Sequence, residues 1–189
     1  MKIERTKLSG VLVLTPSRHT DARGFFSETY NTATLQGNGI ETEFVQDNHS
    51  LSVAPGVVRG LHFQAPPHAQ AKLVRVGTGA VIDVAVDIRK GSPTYGEWVG
   101  VELSADNGRQ LLIPEGFLHG FVTVKPSTEV LYKCSDYYAP ECDGAVHFAS
   151  TSIGIDWGID PGQAIISEKD SGAVPFHEFN SPFIWSGDM

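Results

Sequence analysis

Four side chains, His62, Lys72, His119 and Tyr132, are polar groups set into otherwise apolar runs of the sequence. A strand that buries such a group must satisfy it or use it. Their joint chemistry is acid-base. An imidazole with an ordinary pKa of about 6.5 takes a proton at neutral pH, above all when a carboxylate holds its tautomer and stabilises the imidazolium. An ammonium stabilises the oxyanion that forms when a carbon beside a carbonyl loses its proton. A tyrosine on the other side of the substrate returns a proton to that carbon. Base on one face and acid on the other is an arrangement for epimerisation. For a lone histidine the plainer reading is a hydrogen-bonded core or rim residue, and it is the set that argues for chemistry.

Metal chemistry is the competing reading. The stretch "IPEGFLHGF" around His119 has the PxGxxH spacing of the second motif of cupin barrels, in which proline and glycine turn the chain so that the histidine points into the barrel mouth. A metal cupin also needs an HxH pair followed by a glutamate, to complete a set of three histidines and a carboxylate. In "VVRGLHFQAPPHAQ" the second histidine position is Gln64, and the glutamate position falls at His68 or Ala69. With only His62 and His119 in matching places, the sequence predicts no resident metal and weighs against a metal-dependent oxygenase. Cys134 and Cys142 lack CxxC spacing and read as reduced thiols packed as small hydrophobes.

The elements that must carry these residues are strands. Twenty glycines and eleven prolines punctuate short runs rich in valine and isoleucine, which predicts an all-β sandwich or barrel of antiparallel strands. In "KLVRVGTGAVIDVAVDI", Lys72 to Val76 reads as a strand, Gly77-Thr78-Gly79 as a turn and Ala80 to Ile88 as a second strand. Alternation puts Ile82, Val84, Val86 and Ile88 on a core face, and Val81, Asp83, Ala85 and Asp87 on the other. Further strands are expected at "EWVGVEL", "RQLLIP", "GFVTV" and "EVLYKCSDYY", with helix limited to "TATLQ" and a turn near "DPGQA". After about Gly144 the strand pattern thins into a carboxy-terminal appendage. Arg59 and His62 have opposite parity in a regular strand, so if both face one pocket Gly60 marks a bulge or twist.

With 189 residues, 41% of them hydrophobic, the expectation is one domain spanning 1–189 with its own core. No apolar run approaches the roughly 18 residues of a membrane span, and "MKIERTKLSGVLVL" lacks a signal core, so a cytoplasmic protein is expected. The formal charge of −8 with no basic cluster excludes nucleic acid polymers as partners. A small anion such as a diphosphate stays within reach of a few placed arginines.

Across nearly the whole chain the sequence resembles the dTDP-4-dehydrorhamnose 3,5-epimerases, cofactorless enzymes with a cupin-type double-stranded β-helix, or jelly-roll barrel. The resemblance runs through "DARGFFSETY", "QDNHS", "VVRGLHFQ", "AQAKLVRVGTGAVIDVAVDIRKGSPTYGEWVGVELS", "RQLLIPEGFLHGF", "LYKCSDYYAPE", "GIDW" and "SEKD". It implies inversion of C3 and C5 beside the C4 ketone of a dTDP-4-keto-6-deoxyhexose. By the same resemblance His62 is the base, Asp170 its carboxylate partner, Lys72 the stabiliser of the enolate and Tyr132 the acid. His119 matches a substrate contact, with Asp83 as the residue inferred to orient it. Arg23 and Arg59 match ligand-binding arginines, and Glu28, Gln46, Asp47, Asn48 and Lys169 match positions that bind nucleotide and sugar. Tyr138 is a candidate for stacking on thymine or for a second reprotonation. Asp143 stands where the family commonly has glutamate, and Phe63 where it usually has tyrosine. A homodimer is implied, with the Glu28 region reaching the partner's site. Relatives on this scaffold that invert only one carbon, and a barrel that binds a nucleotide sugar without catalysis, are the remaining alternatives.

Overall fold

The computed structural model describes residues 1–187. In chain order its strands are β1 (Lys2–Arg5), β2 (Leu12–Thr15), β3 (His19–Asp21), β4 (Gly24–Phe26), β5 (Gln46–Ser52), β6 (Val58–Gln64) and β7 (Lys72–Thr78). They continue with β8 (Ala80–Asp87), β9 (Trp98–Ser104), β10 (Gln110–Ile113), β11 (Phe117–Thr123), β12 (Thr128–Cys134) and β13 (Asp143–Ala145). The α-helices are single-turn pieces, α1 (Thr32–Gln36) and α2 (Glu168–Ser171). "TATLQ" is α1 as expected, capped by Asn31, whose side chain accepts from the Thr34 amide at 3.1 Å. None is long and apolar enough to cross a membrane.

Six strands form one sheet of the barrel in the order β1-β2-β10-β7-β12-β5, five form the other in the order β13-β6-β11-β8-β9, and β3 and β4 pair apart from both. Neighbours within both sheets run antiparallel. The two sheets close on a core of Val74, Val76, Leu111, Ile113 and Val130 from the first and Val81, Ala85, Leu103, Phe117 and Phe121 from the second. This is the predicted jelly-roll barrel.

The isoleucine-valine face of β8 lies in a core as expected, and that core is the one formed with the carboxy-terminal appendage: Val84, Val86 and Ile88 pack with Phe148, Ile153, Trp157 and Phe183 on the outside of the barrel. The face that carries Asp83 and Asp87 is the barrel interior, where Val81 and Ala85 lie. Alternation fixes which residues share a face, and the appendage decides that both faces are covered. β7 and β8, which follow each other as strand, turn and strand, lie in different sheets and do not pair. β7 lies between β10 and β12, and β8 between β11 and β9. Gly79, at φ +80°, turns the chain from one sheet into the other, and a Cβ there would collide with Thr128 Oγ1. The "APPHAQ" connection likewise takes the chain from β6 in one sheet to β7 in the other, so their side chains face each other across the barrel.

Candidate active site

One mouth of the barrel opens as a cavity of about 440 Å³, within the size range of small-ligand sites. Its walls come from both sheets and from the appendage: Arg59 and His62 on β6, Lys72 on β7, His119 and Phe121 on β11, Tyr132 on β12, and Ile165 to Ser167 with Lys169 and Asp170.

The strand parity of Arg59 and His62 is resolved at Gly60. His62 pairs with His119 and Arg59 with Phe121, so three steps along β6 match two along β11. Gly60 adopts φ +128° and packs so closely that a Cβ would lie 2.6 Å from Gly120 Cα. This bulge puts both side chains on the cavity side. Arg59 is held there by bonds from Nε to Ser52 Oγ at 3.3 Å and from a terminal nitrogen to the Leu51 carbonyl at 3.1 Å.

Asp170 reaches His62 from 108 residues away. The appendage is pinned beside β6 where the Val58 amide donates to the Ile165 carbonyl and the Ile165 amide to the Gly56 carbonyl, both at 2.9 Å. Ser167 then caps α2 by accepting from the Asp170 amide at 3.1 Å. The Asp170 carboxylate, 3% exposed, lies 2.6 Å from His62 Nε2. A carboxylate only accepts, so Nε2 carries the hydrogen and Nδ1 is left as the basic nitrogen. Burial pushes the His62 pKa below its ordinary value, and Asp170 opposes that shift through its hydrogen bond and charge; Lys72 and Lys169 add to it. The imidazole is therefore neutral, and able to accept a proton, at neutral pH.

A second pair stands beside the first. His119 Nε2 is 2.8 Å from Asp83 Oδ1, both residues buried, and the other Asp83 oxygen has no hydrogen-bond partner among the described residues. Lys72 has no ion-pair partner among the described residues; burial lowers its pKa, while Cys134, Asp143 and Asp83 act in the opposite direction. Tyr132 has its pKa raised, first by burial, so the phenol is kept protonated as a donor. Its ring centroid is 6.5 Å from that of His119.

Several other expected residues lie outside the walls of this cavity. Arg23 sits in the exposed β3–β4 turn and pairs with Asp21 at 2.5 Å. Glu28 lines a separate hollow of about 250 Å³ with Asp47, Arg75, Gln110 and the outer side of Tyr132. Alternation along β5 splits "QDN": Asn48 faces inward, 3.5 Å from Cys134 Sγ, whereas Asp47 pairs with Lys133 at 3.0 Å on the opposite face. Gln46 accepts from the Tyr138 amide at 2.9 Å. At the rim Asp143 pairs with Lys169 and lies 3.4 Å from the Tyr138 hydroxyl. Ser50, the last residue of "QDNHS", lines the cavity with a buried hydroxyl that has no partner among the described residues, and the sequence reading gave it no role. Nor did it single out Ile165, Ile166 or Ser167, the last of them the first residue of "SEKD", because only the docking of the appendage brings them here. Among the described residues no group of three or more His, Cys, Asp or Glu is placed to hold a metal ion.

Fold and site together define a cupin-type barrel whose mouth carries a histidine-carboxylate pair, a half-buried lysine and a protonated tyrosine. The profile of the dTDP-4-dehydrorhamnose 3,5-epimerases matches residues 5–178, and the chain belongs to that family. It is 53% identical over 174 residues to the dTDP-4-dehydrorhamnose 3,5-epimerase of Salmonella typhimurium, covering 92% of this chain and 94% of the relative. The corresponding protein of Methanothermobacter thermautotrophicus is 50% identical over 175 residues, with the same two coverages of 92% and 94%. Among solved structures, the Legionella pneumophila dTDP-6-deoxy-D-glucose-3,5-epimerase in complex with dTDP-4-keto-L-rhamnose superposes with a TM-score of 0.90 at 43% identity, covering 95% of this chain and 94% of that one.

Proposed function

We propose that this chain is a dTDP-4-dehydrorhamnose 3,5-epimerase, acting on dTDP-4-dehydro-6-deoxy-D-glucose by removing and returning protons at C3 and C5. The observation that carries the reading is the His62–Asp170 pair at 2.6 Å in a cavity that also holds Lys72 and Tyr132. The C4 ketone acidifies both neighbouring carbons. Nδ1 of His62 takes the proton, and Asp170 stabilises the imidazolium. Lys72 meets the negative charge that moves onto the ketone oxygen, where a partly buried ammonium is worth more than in water. Tyr132 returns a proton from the other side, and His119, steadied by Asp83, holds the sugar. Arg59 binds the diphosphate. No cofactor enters this scheme.

A homodimer is part of the proposal. The β3–β4 hairpin exposes Phe25 and Phe26 at 59% and 71% and carries Arg23 away from its own cavity. In a dimer Arg23 and the Glu28 region complete the partner's site, and sedimentation tests this. The activity is tested by incubation with the dTDP-4-keto sugar in D2O, read by NMR. Deuterium enters both C3 and C5. Exchange at neither overturns the reading, and exchange at one alone converts it to a single-centre epimerase, the activity named for a Streptomyces bikiniensis 3'-monoepimerase that is 30% identical.

A further inference from the structure

Gln64 occupies the position where a metal cupin has its second histidine, yet its side chain does not line the cavity. It is 4% exposed, in register with Asp143 of β13. Its amide spans three chain segments. Nε2 donates to the His68 carbonyl in the turn after β6 and to the Tyr137 carbonyl at 3.0 Å, and Oε1 accepts from the Ala139 amide at 2.9 Å. Both bonds to the 137–139 stretch bracket Tyr138. The same stretch is tied by Gln70 Nε2 to the Asp136 carbonyl at 2.8 Å and by His68 Nδ1 to Asp136 at 3.0 Å. Tyr138 itself is 58% exposed, so its own packing does little to hold it.

We propose that Gln64 is a positioning residue for the proposed epimerase reaction: its amide clamps the 136–139 loop and so fixes Tyr138, with the Asp143–Lys169 pair that its hydroxyl approaches, at the rim of the cavity. An amide suits this task because it offers two donors and an acceptor at one point: the loop presents the Tyr137 carbonyl and the Ala139 N–H, and the His68 carbonyl in the turn after β6 takes the second donor. The bond to Ala139 is buried and the other two are partly buried, so losing the side chain takes a partner from three backbone groups and leaves the loop free to move. A displaced rim changes how substrate is seated and leaves the His62–Asp170 pair in place.

This inference rests on the proposed function for its kinetic arm, and amide hydrogen exchange tests it independently. In Gln64→Met, which keeps the length and volume and removes all three bonds, exchange at Tyr138 and Ala139 rises about tenfold or more while Leu61 to Phe63 on β6 stay protected. In turnover of the dTDP-4-keto sugar, kcat/KM falls about tenfold, and Tyr138→Phe added to Gln64→Met costs less than it does alone. Unchanged exchange at 138–139, loss of protection throughout β6, or independent multiplication of the two losses overturns the proposal. Should Gln64→Met not fold, Gln70→Ala removes another tie from the same loop at little structural cost. It then gives the same two signatures in smaller degree, and their absence overturns the proposal equally. A wild-type protein with no turnover counts against the epimerase reading, and the exchange arm alone then decides the role of Gln64.

Discussion

Replacing Asp170 by asparagine keeps the shape of the residue and removes its charge. In the structure the carboxylate is buried and meets His62 Nε2 at 2.6 Å, with a longer 3.5 Å contact from the Gly60 amide. The bond strengthens when the imidazole becomes imidazolium, so its loss falls on the proton-abstraction step. A hydrogen bond to a charged group contributes about 1.5–3 kcal/mol, which at about 1.4 kcal/mol per factor of ten lowers kcat by roughly 10- to 160-fold. If the new amide turns its NH₂ towards Nε2, the tautomer reverses, Nδ1 holds the proton, and the loss moves beyond that range. KM stays within about twofold, because Asp170 acts through His62 and not through binding. The pH profile adds a signed check. Burial already holds the His62 pKa below 6.5, and Asp170 raises it. With His62 as the proposed base, activity needs the neutral imidazole and is lost as pH falls through that pKa, so the wild-type acidic limb of kcat/KM is expected below 6.5. Without the carboxylate the pKa drops further and the limb moves to lower pH. Steady-state kinetics across pH 4–8 measure all three quantities. A kcat within threefold of wild type, a limb displaced upward, or a loss confined to KM would each refute the reasoning.

Two other perturbations probe the acid and the bulge. Tyr132→Phe removes a phenol kept protonated by burial; in D2O it slows net inversion by about 10²-fold or more while proton abstraction falls far less, and equal losses in both would reduce Tyr132 to a seat for substrate. Gly60→Ala places a Cβ 2.6 Å from Gly120 Cα at φ +128°, and is expected to cost about 2–4 kcal/mol and several degrees in Tm by calorimetry. Gly56→Ala, also at positive φ but with open space around the new Cβ, costs only about 1–2 kcal/mol and serves as the control for backbone strain alone.

Much of this protein is local and therefore readable from the chain. Alternating apolar residues between glycine turns specify strands, and "TATLQ" after Asn31 specifies one helical turn, because side-chain burial and capping act over a few residues. Even the irregularity at Gly60 is legible, since Arg59 and His62 cannot share a face of a regular strand. The family motifs point to His62, Lys72, Tyr132 and Asp170, but not to the distances between them. Those are set by contacts of high sequence separation. Which sheet receives β7 and which β8 depends on partners tens of residues away, so a strand-turn-strand pattern that reads as a hairpin becomes a crossover between sheets. The appendage shows no strand pattern of its own, yet its docking along Gly56 to Val58 brings Asp170 to His62. Gln64 is visible in the sequence only as a missing metal ligand. Its two bonds to the stretch around Tyr138 exist because folding lays that distant stretch against the end of β6, beside the turn that holds His68, where one amide can serve both.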